Sequence, residues 1–147
     1  MRTAIVYYSQ HHGNTKKILD AIAKTGDVTL IDVTKHSTYD LSNFDLIGFA
    51  SGIYYNKFSE KVIVFAKNNL PSHKKVFFVY TCGIKLRSYT NAIRVAANER
   101  NADIVGAYGC PGFNTFGPFK IVGGIRKNRP NENDIVKAVQ FFRGILK

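Results

Sequence analysis

Five short apolar runs, separated by stretches of a different periodicity, constrain this chain more than any other feature. They are Ala4 to Tyr8, Val28 to Val33, Phe44 to Ala50, Val76 to Tyr80 and Ile104 to Tyr108. Runs of this length, rich in β-branched and aromatic residues, suit strands covered on both faces, as in a parallel sheet. The intervening segments follow the helical period. Asn14 to Lys24 carries Ile18, Leu19, Ile22 and Ala23 on one face, and Ser59 to Asn69 carries Val62, Ile63, Phe65 and Ala66. Tyr89 to Arg100 carries Ile93, Val95, Ala96 and Ala97, and Asp134 to Leu146 carries Ile135, Ala138, Val139, Phe142 and Ile145. Asn131 or Asn133, just after Pro130, suits the cap of that last helix. Strands alternating with helices predict an α/β, doubly wound sheet. Two stretches stand outside the pattern: polar Thr34 to Asn43, and Gly109 to Asn133, rich in Gly and Pro.

The chain has 147 residues, which suits one domain over residues 1–147. A core of that size needs neither a disulfide nor a structural metal. Cys82 and Cys110 lack metal-ligand spacing and are expected to be reduced thiols in a cytoplasmic protein. The N-terminal MRTAIVYYSQ lacks the features of a signal peptide. No stretch reaches the roughly 18 apolar residues of a membrane span, so no membrane insertion is expected. The net charge of +11 suits acidic partner proteins. The basic residues are scattered and accompany no groove-reading motif, so nucleic acid is not expected as a partner.

The first run leads directly into Ser9-Gln10-His11-His12-Gly13-Asn14-Thr15. Small and hydroxyl residues between a strand and a helix let backbone N–H groups converge, and the helix N-terminus adds partial positive charge. That combination cradles a phosphate without an obligatory Lys or Arg. The Walker and dinucleotide-binding glycine patterns are both absent. His11 and His12 either donate to the phosphate or are solvated loop residues. After the third run comes Ser51-Gly52-Ile53-Tyr54-Tyr55-Asn56-Lys57-Phe58, whose aromatic density suits stacking on a planar ligand. Thr81-Cys82-Gly83 follows the fourth run, at the position where doubly wound sheets bind ligands. Cys82 faces either the ligand or the core.

The stretch ending in Gly13-Asn14-Thr15 resembles the phosphate loop of the flavodoxin family, with one extra residue and the pair His11-His12 before Gly13. The longer spacing is similar to that of flavodoxin-like enzymes related to the menaquinone-dependent protoporphyrinogen oxidases. S-G-I-Y-x-x-K-F, from Ser51 to Phe58, resembles the family's flavin loop, and the carboxyl-terminal G-F-x-T-F-G-P-F-K resembles the tails of its small members. The resemblance implies a flavodoxin-like five-stranded parallel sheet in the order 2-1-3-4-5 with helices on both faces. It implies FMN as cofactor, held by Ser9 to Thr15, Ser51 to Lys57 and Thr81 to Gly83. It also implies that the peptide at Asn56 turns over on flavin reduction, Asn being tolerant of a left-handed backbone.

Electron transfer with redox partner proteins is the function so implied. The alternative is a flavin-dependent oxidoreductase acting on a quinone or porphyrin-like substrate, although the chain lacks the long late insertion of the protoporphyrinogen oxidase relatives. Lys57 and Lys85, with no Asp or Glu in the flavin loops, predict a reduced-flavin potential less negative than in acidic flavodoxins. A receiver domain of the same topology is excluded, because Ser9-Gln10 and Ser51 stand where acidic residues would be needed.

Overall fold

The computed structural model describes residues 1–9, 13–83, 86–111 and 129–147. Along the chain the elements are β1 (Thr3–Tyr8), α1 (Asn14–Ala23), β2 (Val28–Asp32), β3 (Leu46–Tyr54), β4 (Lys57–Phe58) and α2 (Glu60–Asn69). They continue with β5 (Lys75–Cys82), a 3-10 turn (Arg87–Thr90), α3 (Asn91–Asn98), β6 (Asp103–Pro111) and α4 (Glu132–Leu146). The sheet order is β2-β1-β3-β5-β6, with every pair on that path parallel. Short β4 lies off the path, antiparallel to β3. Setting β4 aside, this is the order expected from the sequence.

Alternation along the central strands sends successive side chains to opposite faces. Val6, Phe49 and Phe78 pack with α2 and α3, whereas Ile5, Phe77 and Val79 pack with α1 and α4. The helices meet these faces with the stripes read from sequence: Ile18, Leu19 and Ile22 of α1, Val62, Phe65 and Ala66 of α2, and Ala138 and Phe142 of α4 are all buried. Burying each Phe or Ile of this core contributes about 1.5–3 kcal/mol. On α3 the stripe is Ile93, Ala96 and Ala97. Val95, assigned from sequence to the same stripe, is 56% exposed, because α3 packs along a narrow line and Val95 lies off it.

Several boundaries differ from the sequence reading for one reason: backbone pairing extends past the apolar run. Ser51 and Gly52 lie in β3 rather than in a loop, paired with Tyr8 of β1 and Thr81 of β5. Thr81 and Cys82 close β5, and Gly109 to Pro111 belong to β6. Edge strand β6 is not covered on both faces, and Val105 is 37% exposed at a bulge. No helix forms over Thr34 to Asn43. There the Asp32 carboxylate accepts from the N–H and hydroxyl of Thr34, at 2.9 and 2.7 Å. Asp40 does the same for Ser42, at 3.0 and 2.6 Å. Such local side-chain bonds compete with helix formation.

The β3–β4 connection is a two-residue turn in which Tyr55 has φ 52° and Asn56 φ 65°. Positive φ at both central residues is the pattern of a type I′ hairpin turn. Asn accepts that conformation readily, but a tyrosine there is uncommon and costs roughly 1–2 kcal/mol.

Asn131, not Asn133, caps α4: its side chain accepts from the Asp134 N–H, while Asp134 accepts from the Asn131 N–H. The Arg129 guanidinium also donates to both oxygens of Asp134, and the Tyr108 hydroxyl donates to the Asp134 carbonyl at 2.9 Å. Burial pushes the Asp134 carboxyl up, but Arg129 and the Asn131 N–H outweigh it, and its pKa lies below the usual value. A carboxyl depressed in the folded state contributes stability above the unfolded pKa of about 3.9 and loses it as pH falls further. Asp134→Ala is therefore expected to cost about 2 kcal/mol at neutral pH. The deficit should shrink as pH falls below about 4, measured by urea unfolding at a series of acidic pH values.

Candidate functional site

The carboxyl ends of β1, β3 and β5 lie side by side, and the chain leaves β1 for one face of the sheet and β3 for the other. This strand-order reversal opens a crevice where ligands bind in doubly wound folds.

From β1 the chain passes Ser9 and enters α1 through Gly13, at φ 65° and ψ 28°. That left-handed conformation is one glycine adopts without strain, and no described atom lies within 4 Å of where a side chain on Gly13 would begin. Ser9 Oγ accepts from the Lys16 N–H at 3.2 Å, which ties the residue after β1 to the first turn of α1. That turn carries no acidic residue, leaving the positive end of the helix uncompensated by its own carboxylates. Asn14 and Thr15 are both buried. Thr15 Oγ1 lies 3.0 Å from Thr81 Oγ1 in a buried hydrogen bond that joins the start of α1 to the end of β5. Gln10, His11 and His12, with Lys85 further along, lie outside the described residues.

At the end of β3, Ser51 is fully buried. Its hydroxyl accepts from the Ser59 N–H at 2.9 Å and donates to the Gly52 carbonyl, fastening the hairpin beneath α2. Gly52, Ile53 and Tyr54 are half-buried. The Tyr54 ring stands edge-on to Tyr8 with centroids 5.7 Å apart, and Lys61 Nζ lies 5.4 Å from the centroid of Tyr8. Tyr55, at the tip, is 83% exposed, so its ring is presented outward. Lys57 Nζ is 2.9 Å from Glu60 Oε2. The loop therefore has an acidic neighbour that counting charges within it overlooks: the first residue of α2 folds back beside β4.

At the end of β5, Thr81 turns toward Thr15 and Cys82 turns the other way. Cys82 Sγ is buried among the α2 and α3 side chains and donates to the Cys110 carbonyl at 3.7 Å. The core, rather than the crevice, is where the thiol sits. Gly83 is a buried bend just beyond. The described residues of the three predicted stretches thus lie together at the carboxyl end of the sheet. Sequence reasoning missed the Thr15–Thr81 bond, the Tyr8–Tyr54 contact and the Glu60 partner. Only the last had a sequence signal, since Lys57 and Glu60 are three residues apart.

Among the described residues no group of three or more His, Cys, Asp and Glu side chains forms a metal site. No described helix is long and apolar enough to cross a membrane.

The family model of the flavodoxin domain matches residues 5–103. An uncharacterized protein of Methanocaldococcus jannaschii is 38% identical over 149 residues, spanning 100% of this chain and 99% of its own length. Oxidised flavodoxin 1 from Bacillus cereus superposes with a TM-score of 0.70 at 17% identity, covering 99% of this chain and 97% of its own. A flavoprotein from Lactobacillus acidophilus, solved in complex with FMN, gives a TM-score of 0.59 at 20% identity, covering 74% of this chain and 92% of its own. At these identities the two structural likenesses show the fold. The domain match and the full-length relative go further: this chain belongs to the flavodoxin family.

Proposed function

We propose that this chain binds FMN at the carboxyl edge of its sheet and carries electrons between acidic partner proteins in the cytoplasm. One observation carries the reading most: Gly13, in its left-handed conformation, opens an acid-free helix N-terminus whose Thr15 is bonded to Thr81. The flavoprotein relative that is solved with FMN supports the choice of cofactor.

The residues present fit the group. Ser9, Gly13, Asn14 and Thr15 offer hydroxyl, amide and helix-terminal donors suited to a phosphate, and no described atom lies within 4 Å of where a side chain on Gly13 would begin. Thr81 and Gly83 offer backbone groups to the polar edge of the ring system. Tyr54 and Tyr55 offer aromatic surface, worth about 0.5–1.5 kcal/mol beyond area burial. FMN, when bound, supplies one- and two-electron chemistry, and the protein sets its potential and access. Ser51 and Cys82 act indirectly: Ser51 holds the hairpin and Cys82 anchors the end of β5 in the core. The net charge of +11 favours acidic partners and makes their association salt-sensitive.

Purified protein should be yellow and release FMN on heating. Thr15→Ala should weaken FMN binding about five- to tenfold in a fluorescence-quenching titration, the scale of one hydrogen bond. A colourless wild-type protein with no affinity for added FMN would refute the reading. Oxidised and reduced crystal structures should show different orientations of the peptide at Asn56, and identical orientations would remove that part of it. Lys57 carries positive charge tempered by Glu60. Glu60→Gln should therefore raise the potential of the fully reduced couple, by roughly tens of millivolts for so exposed a pair, read by spectroelectrochemical titration.

A further inference from the structure

A cleft of about 520 Å³ lies on the outer edge of the sheet, between β6 and the segment formed by the 3-10 turn and α3. Its existence follows from the bulge in β6. The register shift at Val105 turns Gly106, Tyr108 and Cys110 toward α4. Ala107 and Gly109 are left facing α3, and two such small residues cannot fill the space between strand and helix. Into it projects Tyr80 from β5, its ring lying over Gly109. A β-carbon on residue 109 would fall 2.2 Å from that ring and 2.6 Å from its hydroxyl oxygen, so only glycine fits.

The cleft has a marked chemical character. Tyr80 is only 5% exposed, yet its hydroxyl makes no hydrogen bond to any described residue. Burial pushes the phenol pKa up, so the hydroxyl remains a proton donor at neutral pH. Arg87 and Arg94 line the same cleft, and neither forms an ion pair among the described residues. Arg94 is already held in place. Its Nε donates to Thr90 Oγ1 at 2.9 Å, and its guanidinium lies 5.4 Å from the centre of the Phe78 ring. Thr90 in turn donates to the Arg87 carbonyl at 3.3 Å, which ties the two arginines to one turn. Two uncompensated guanidiniums and a phenol hydroxyl open to the cleft, over a floor with almost no side chain, are complementary to a flat molecule with an anionic end.

We propose that this cleft is a binding site for a small organic anion, its oxyanion head held by Arg94, Arg87 and the Tyr80 hydroxyl and its flat apolar body resting on Ala107 and Gly109. The site lies on the β6 edge, with β3 and β5 between it and β1, and does not depend on the flavin reading. Free organic acids and phosphate esters share this chemistry, and the probes below separate them.

The test is a two-dimensional amide NMR titration of the purified full-length chain with benzoate, phenyl phosphate and inorganic phosphate. Benzoate or phenyl phosphate should give saturable shifts at the amides of Thr90, Asn91, Ala107 and Gly109, with a dissociation constant in the millimolar range. Tighter binding of benzoate identifies a carboxylate head, and tighter binding of phenyl phosphate identifies a phosphate ester. Arg94→Gln should weaken binding about tenfold or more, and Arg87→Gln and Tyr80→Phe severalfold each. Arg87 is exposed, so its variant tests the site without risk to the fold. Non-saturable shifts, or shifts confined to Ser9, Gly13 and Thr15, would overturn the proposal. So would wild-type affinity in both arginine variants, or inorganic phosphate binding as tightly as either aromatic probe.

Discussion

A parallel sheet of apolar strands must be covered on both faces, and the rest of this molecule follows from that requirement. Crossovers between parallel strands are right-handed, so covering both faces means winding outward from β1 in one direction and then in the other. The chain does so by placing β2 on one side of β1 and β3 on the other. The connections leaving β1 and β3 consequently diverge, α1 to one face and α2 to the other, and the crevice between them is a by-product of burying the core. The Thr15–Thr81 bond spans this region, joining the start of α1 to the end of β5.

Around the crevice, polar groups divide into those consumed by the framework and those left for chemistry. Ser51 and Cys82 look like ligand contacts in sequence, yet their side chains are spent on the Ser59 N–H and the Cys110 carbonyl. In return, the hairpin tip is held firmly enough to keep Tyr55 and Asn56 at positive φ. Strain of that kind persists only where the surroundings over-determine it, and it gathers where a backbone is required to move or to present a group. The tip is presented rather than buried, with Tyr55 almost wholly outside.

The sixth strand shows the same logic at the edge of the sheet. A bulge reorients half of β6, sending Tyr108 to α4, where it meets the Asp134 cap, and leaving a shallow floor toward α3. One irregularity thereby anchors the carboxyl-terminal helix and creates the cleft lined by Arg87 and Arg94. Bulges commonly redirect side chains in this way.

The succession of strands and helices, and their buried stripes, were legible in the residues alone, because period and apolar content are local properties that burial on either face enforces. The glycine turn after β1 was legible too, since Gly13 stands between an apolar run and a helical one, and no other residue takes φ 65° so cheaply there. Packing fixed where pairing stops and what each polar group faces. Ser51 and Gly52 read as loop because they are small and the apolar run stops at Ala50, but hydrogen bonds from two neighbouring strands hold them extended. The exposure of Val95, the facing of Cys82, the Thr15–Thr81 bond and the cleft at Gly109 each depend on residues distant in the chain being brought together. Local pattern carries no record of such partners, because their energies arise only once the two segments are packed.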